Sequence, residues 1–208
     1  MTRAAEQTKR ALIESAASVF AESGFEGASV REITSRAKAN QAAVTYHFGG
    51  KEALYREVLA WALGVLHEAM SSEDVQDRQE DREAAVRRFV RRQLAPLLSR
   101  ERLALPLRIF SWESVTPTPV YLEFFSNRTV PMLRQAEAIV RLYARADASA
   151  EQVAVAAIWL TQQTSSFIRH ADLLALPPLS LKIDRAYVER LADQLGRMAD
   201  GGLAALAA

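Results

Sequence analysis

Ser29-Val30-Arg31-Glu32-Ile33-Thr34-Ser35-Arg36, followed after a few residues by Asn40-Gln41-Ala42-Ala43-Val44-Thr45-Tyr46-His47-Phe48-Gly49-Gly50-Lys51, is the stretch that decides the fold. Ser29 and Glu32 make an S-x-x-E capping box, in which serine accepts from a free N–H and glutamate reaches back. Such a cap contributes about 1 kcal/mol. Val30, Ile33 and Ala37 then mark the inward face of a helix barely two turns long, too short to persist without tertiary support. Asn40 is the expected N-cap of a second short helix, with Val44 and Phe48 inward at i and i+4 and Gly49-Gly50 as its stop. Two short capped helices joined by a tight turn form a helix-turn-helix, whose second member fits a major groove. With Val44 and Phe48 inside, Gln41, Ala42, Ala43, Thr45 and Tyr46 remain for hydrogen bonds, thymine-methyl contacts and phosphates.

Upstream, an amphipathic helix is expected from Thr8 to Ser23, with Leu12, Ala16, Val19 and Phe20 on one face. Gly24 sits where a left-handed cap is wanted, so Phe25 can fold back. Downstream, Lys51 opens a long helix through Ala53, Leu54, Val58, Trp61 and Leu66. The charged, apolar-poor stretch from Ser71 to Glu83 reads as a linker. Further helices are expected at Asp81–Ser99, Arg102–Val115, Pro119–Arg145, Ala150–Leu174 and Asp184–Leu206, with Pro96, Pro106 and Pro131 as kinks and Ser149 with Gln152 as another capping box. The fold class is all-α: a three-helix N-terminal helix-turn-helix domain joined by a long helix to a larger helical domain.

Composition narrows the function. The chain has 208 residues, half of them apolar, which is enough for a sizeable core. It has no cysteine, which excludes disulfide scaffolds, thiolate metal sites and cysteine nucleophiles. His47, His67 and His170 show no ligand spacing, so no metal is expected. The first ten residues are polar and charged, and no stretch approaches a membrane span, so a soluble cytoplasmic protein is expected, with no membrane partner. Net charge is +1 overall, yet residues 31–51 carry four basic side chains against one acidic. Arg31, Arg36, Lys38 and Lys51 are candidates to neutralise phosphates. No nucleophile motif, Gly-rich phosphate loop or distinctive carboxylate pair argues for an enzyme, and no cofactor is implied.

Tyr46-His47-Phe48-Gly49-Gly50-Lys51-Glu52-Ala53-Leu54, preceded by Gly24-Phe25 and the Ser29–Ile33 box, closely resembles the TetR repressor family over roughly Thr8 to Glu68. Within it, the pattern A-A-x-x-Y-H-F-G-x-K resembles a subgroup that includes fatty-acid-responsive and drug-responsive regulators. The resemblance implies a DNA-binding domain over 8–68, with Gln41, Ala43 and Thr45 facing the groove and Tyr46, His47 and Lys51 holding phosphates. Ser29, Arg31, Asn40 and Ala42 complete the DNA-facing set. Lys38 departs from the family, which often has glycine in this turn.

The resemblance also implies that residues 69–208 dimerise and bind a small-molecule inducer. Val153, Ala157, Leu160, Thr164 and Phe167 form one stripe and, with Leu191, Leu195 and Met198, are the expected dimer interface. A homodimer would read a palindromic operator on double-stranded DNA. A largely apolar ligand is expected among Phe110, Trp112, Tyr121, Phe124, Phe125 and Trp159, oriented by Arg108, Glu113, Gln162, Gln163 or His170. The long helix from Lys51 is the expected lever. The competing readings are a constitutive DNA binder without ligand control and an all-α enzyme with an accessory helix-turn-helix.

Overall fold

The computed structural model describes residues 3–71, 81–128 and 130–207, and every regular element among them is helical. Four helices precede the expected linker: α1 (Arg3–Gly27), α2 (Val30–Arg36), α3 (Ala42–Phe48) and α4 (Lys51–Ser71). After it come α5 (Arg82–Leu94), a 3₁₀ segment (Ala95–Ser99), α6 (Arg100–Val115), α7 (Pro119–Arg128) and α8 (Val130–Arg141). The chain continues through α9 (Ala150–Gln162), α10 (Ser165–Arg169), α11 (Ala171–Leu174) and α12 (Arg185–Ala204) to a 3₁₀ turn at Ala205–Ala207. Of the expected linker, residues 72–80 lie outside the described residues, while Asp81 caps α5 by accepting from the Ala84 N–H at 2.7 Å.

The chain divides into two compact units. The first comprises residues 1–67 and also 101–127, so α6 and α7 pack with the N-terminal helices in addition to the expected 8–68 segment. Its core joins Leu12, Ala16, Val19 and Phe20 of α1 to Ile33 of α2, Val44 of α3, and Leu54 and Val58 of α4, with Ile109, Val120 and Phe124 completing it. Fully burying a leucine or isoleucine contributes about 1.5–3 kcal/mol, which gives α2 and α3, at seven residues each, the tertiary support that their length demands.

Gly24 ends the regular part of α1 with φ 68° and ψ −179°, a conformation essentially reserved for glycine. The reversal turns Phe25 back onto Phe20 and Tyr55, with ring centroids 6.0 and 4.9 Å apart. The Trp112 ring packs on the bare Gly24 Cα, where a Cβ would lie 3.2 Å from the indole, and Trp112 Nε1 donates to the Ala21 carbonyl at 3.1 Å.

The second unit, residues 68–100 and 128–208, is built on α5, α8, α9 and α12. Helices α5 and α12 meet closely at Gly196, where an added Cβ would stand 3.3 Å from the Arg87 Cα. The Ser149–Gln152 capping box is fully formed at the start of α9. Instead of one helix to Leu174, α9 stops at Gln162. There Thr161 Oγ1 donates to the Ile158 carbonyl at 2.8 Å and Gln163 Nε2 to the Trp159 carbonyl at 2.8 Å, side-chain bonds that compete with the helical ladder. Helix α8 likewise ends at Arg141, short of Arg145, and Tyr143 beyond it is buried with its hydroxyl donating to Asp200 at 2.6 Å.

Candidate nucleic-acid interface

The turn between α2 and α3 is set by backbone chemistry. Lys38 adopts φ 52°, the Lys38 N–H donates to the Ser35 carbonyl at 3.2 Å, and the Ala39 N–H donates to the Thr34 carbonyl at 2.9 Å. These are the paired bonds of a Schellman motif, with lysine at the left-handed position that glycine usually fills. The chain re-enters a helix where Asn40 Oδ1 accepts from the Ala42 N–H at 2.9 Å, one residue ahead of the N-cap, which is Gln41 and makes no side-chain cap bond. At the other end of α3, Gly49 at φ 87° returns its N–H to the Thr45 carbonyl at 2.9 Å.

Within α3, Val44 is buried and Phe48 is half-buried against the core, with Lys9 Nζ 5.6 Å from the Phe48 ring centroid. The opposite edge is open: Gln41, Ala42, Thr45 and Tyr46 are exposed, and Tyr46 is 81% accessible. Ala43 is half-buried and packs on the core, leaving Gln41 and Thr45 as the open members of the expected groove-facing trio. His47 is half-buried and stands edge-on to Tyr46 at 4.9 Å. Asn40 and Arg31 are exposed, and Ser29 Oγ accepts from the Glu32 N–H at 3.1 Å.

Glu32 does not close the expected box. Its carboxylate accepts from Arg36 at 2.6 Å, while Arg36 also grips Glu22 of α1 through two bonds of 2.7 Å. The hydrogen bonds from Arg36 hold the Glu22 carboxyl below its ordinary 4.5, and the same partnership raises the guanidinium. Arg36 therefore clamps α2 to α1, whereas the sequence had offered it as a phosphate ligand. Lys51 Nζ lies 4.4 Å from the Phe25 ring centroid, a cation–π contact that fixes its ammonium at the start of α4. Neither the Arg36–Glu22 clamp nor the Phe25 seat of Lys51 has a helical spacing that would announce it in the sequence.

The eleven expected ligand residues fall in both units, with Phe124 buried in the core of the first and His170 in the second. Arg108, Phe110, Trp112, Glu113, Tyr121 and Phe125 belong to the first, and Trp159, Gln162 and Gln163 to the second. Tyr121 links Phe110 and Phe125 through ring contacts of 6.2 and 5.7 Å. Two members make contacts within the fold. Glu113 is 1% exposed and accepts from the Tyr55 hydroxyl at 2.5 Å, the Thr118 N–H at 2.7 Å and the Thr118 hydroxyl at 3.0 Å. Burial, then the bond to Glu113, raises the Tyr55 phenol well above its usual range. Glu113 is thus a structural tie from α6 to α4 and α7, and Trp112, still 45% exposed, packs on Gly24 and donates to the Ala21 carbonyl.

Most residues of the expected dimer interface are turned into their own unit. Val153, Ala157, Leu160, Thr164, Leu191 and Leu195 are buried, and all but Thr164 belong to the apolar core of their own unit, against which Phe167 also packs. Only Met198 of that set is exposed, at 62%. The outward apolar residues of α9 are instead Val155, Ile158 and Trp159, and the Trp159 ring edge lies over Gly202 of α12. A helix apolar on two sides offers two stripes, and periodicity does not say which one its own core takes.

The fold and this edge define a class, that of helix-turn-helix proteins with an open recognition helix. Comparisons with known proteins agree. Residues 12–58 match the family described as bacterial regulatory proteins, tetR family, and residues 82–206 match the C-terminal domain of the HTH-type transcriptional dual regulator CecR. The chain belongs to the TetR family of transcriptional regulators, in the group that carries this CecR-type C-terminal domain. It is 33% identical over 129 residues to the CecR dual regulator of Shigella flexneri, covering 58% of this chain and 57% of that protein. A 53-residue stretch is 42% identical to the A-factor receptor protein of Streptomyces griseus, 26% of this chain and 19% of that one. These matches thus span little more than half of the first relative and a fifth of the second. Among solved structures, a transcriptional regulator from Rhodococcus sp. RHA1 superposes with TM-score 0.63 at 22% identity, covering 93% of this chain and 96% of the other. A TetR-like regulator from the same source gives 0.62 at 13% identity, covering 94% and 96%. At those identities the likeness speaks for the fold alone.

Among the described residues, no helix is long and apolar enough to cross a membrane, and no group of three or more histidine or acidic side chains is arranged to hold a metal ion.

Proposed function

We propose that this chain is a one-component, cytoplasmic transcriptional repressor that grips a palindromic operator as a homodimer and is released by a small molecule. Residues 8–68 supply the DNA head and residues 69–208 the effector-binding and dimerising part. The observation that carries this reading is the open edge of α3, where Tyr46 stands 81% exposed beside Gln41 and Thr45 while Val44 anchors the helix from behind. An exposed tyrosine whose ring contact is the neighbouring His47 suits phosphate and base-edge contacts. Arg31, Lys38 and Lys51 add positive charge around it.

Dimerisation is assigned to the outward face of α9 and α12, where Val155, Ile158, Trp159 and Met198 form the exposed apolar strip. Two heads would then read half-sites about 34 Å apart or a multiple of that spacing. An effector releases DNA only if it binds the DNA-incompetent arrangement more tightly. Helix α4 runs unbroken from the Lys51 phosphate site to Ser71 and is the natural lever.

The test is selection of bound sequences from random duplexes, followed by gel-shift titration. Palindromic, salt-sensitive binding is expected. Tyr46→Ala should weaken binding across all sequences, whereas Thr45→Ala should also shift base preference. Absence of binding to any duplex at low ionic strength would end the regulator reading. Binding that no small molecule relieves would leave a constitutive DNA binder. Because the Shigella flexneri relative is a dual regulator, a reporter assay should score activation as well as repression.

A further inference from the structure

Leu173, Leu176 and Leu179, at the end of α11 and on its connection to α12, are each more than half exposed. The backbone holds them outward. The Leu181 N–H donates to the Leu174 carbonyl and the Ser180 N–H to the Leu176 carbonyl, both at 2.9 Å. Before the turn, Ala171 is buried and Asp172 pairs with Arg100. After it, Ile183 packs against the core, and Asp184 Oδ1 caps α12 by accepting from the Tyr187 N–H at 2.9 Å. The turn is fastened at both ends while three leucines stay in water, an arrangement that costs hydrophobic free energy in a lone chain.

Continuity and area decide what covers them. Along α9, α10 and α11 the exposed residues Val155, Ile158, Gln162, Ser166, Arg169 and Leu173 recur at three- and four-residue spacing, so Leu173 continues the stripe that opens with Val155 and Ile158. A lasting homodimer interface covers about 1,000 Å² or more on each protomer, about two-thirds of it apolar. Val155, Ile158, Trp159 and Met198, each open by roughly 100 Å², supply only about 400 Å² of that. Three leucines open to a similar extent bring the apolar area to about 700 Å², the share such an interface requires. Residues 173–181 carry no charged side chain, and Ser180 is polar among them. A nucleic acid or a charged peptide finds nothing there to pair with, whereas a second copy brings apolar surface of the same kind.

We propose that this leucine-rich connection is a second apolar contact of the homodimer, seated on the partner copy and continuing the exposed strip of α9 and α12. The contact rests on the proposed homodimer and adds to it residues outside those two helices. None of the interface residues expected from the sequence lies between 168 and 190.

The experiment is sedimentation equilibrium of the full chain over a concentration series, without DNA. Leu176→Gln with Leu179→Gln should raise the dimer dissociation constant by roughly a hundredfold or more, because twofold symmetry counts each loss twice. Leu142→Gln, at an equally exposed leucine of the same unit, should leave it unchanged, and Ile158→Glu should abolish association. Far-UV circular dichroism and thermal melting check that each variant is folded. The chain has no cysteine, so Ala175→Cys supplies a single thiol at an exposed position among the leucines. Its alkylation by N-ethylmaleimide should slow by roughly tenfold or more between concentrations at which the chain is monomeric and dimeric, a readout that alters no leucine. The proposal is overturned if the double leucine variant dimerises as tightly as wild type, or if the thiol reacts equally fast at both concentrations. With Ile158→Glu monomeric, either result keeps the dimer and removes only the leucine contact. A wild-type chain that stays monomeric throughout the series ends the homodimer and this contact together. Co-sedimentation with phosphatidylcholine vesicles that the double leucine variant loses, while its dimer persists, overturns the second copy in favour of a lipid surface.

Discussion

Glu113→Ala is expected to destabilise the first unit severely, because the buried carboxylate organises three donors. It accepts from the Tyr55 hydroxyl at 2.5 Å, the Thr118 N–H at 2.7 Å and the Thr118 hydroxyl at 3.0 Å. Thr118 Oγ1 in turn accepts from the Tyr121 N–H at 3.1 Å, capping α7. A hydrogen bond to a charged group contributes about 1.5–3 kcal/mol, and a buried donor stripped of its acceptor costs about 1–3 kcal/mol. Desolvation of the native carboxylate offsets part of the sum, and the bonds are not independent. With three neutral donors stranded and the desolvation recovered, the expected net loss is about 3–5 kcal/mol. Against a total of about 5–15 kcal/mol for a small domain, that is a large share. Glu113→Gln, which keeps one oxygen for Tyr55 but turns an amide nitrogen toward Thr118, should lose about 1–3 kcal/mol. Urea unfolding followed by tryptophan fluorescence in a Trp159→Phe background reports this unit, since Trp61 and Trp112 both lie in it. The midpoint should fall with an unchanged m value. A loss below about 1 kcal/mol for Glu113→Ala, together with an altered response to small molecules, would refute the structural role and return Glu113 to the ligand site.

Lys38→Gly should keep or raise stability, by up to about 1 kcal/mol, because it relieves a left-handed lysine. If Lys38 touches phosphate, the same change lowers DNA affinity and reduces the salt slope by about one unit, which gel shifts over a salt series measure. Gly24→Ala should cost about 1–3 kcal/mol or more, since its φ and ψ are unsuited to a side chain and Trp112 occupies the space, and thermal melts of the two proteins check it. Because Arg36 depresses the folded-state acidity of Glu22, the clamp stabilises fully above the unfolded carboxylate range near 4.5 and fades as pH falls below it. The stability gap between wild type and Glu22→Gln should thus be widest near neutral pH and close as pH falls below the ordinary carboxylate range in urea titrations.

Local patterns in the sequence were enough for the all-α class, the helix-turn-helix between Ser29 and Phe48, the Gly24 reversal and the complete capping box at Ser149, because each depends on residues within about four positions of one another. The sequence could not assign the partners of long-range groups. Arg36 finds Glu22 fourteen residues away, and Glu113 finds Tyr55 fifty-eight residues away, so both had more than one role open to them. Helical periodicity marked two apolar sides on α9, and only packing against α5, α8 and α12 turned Val153, Ala157 and Leu160 inward and left Val155, Ile158 and Trp159 outside.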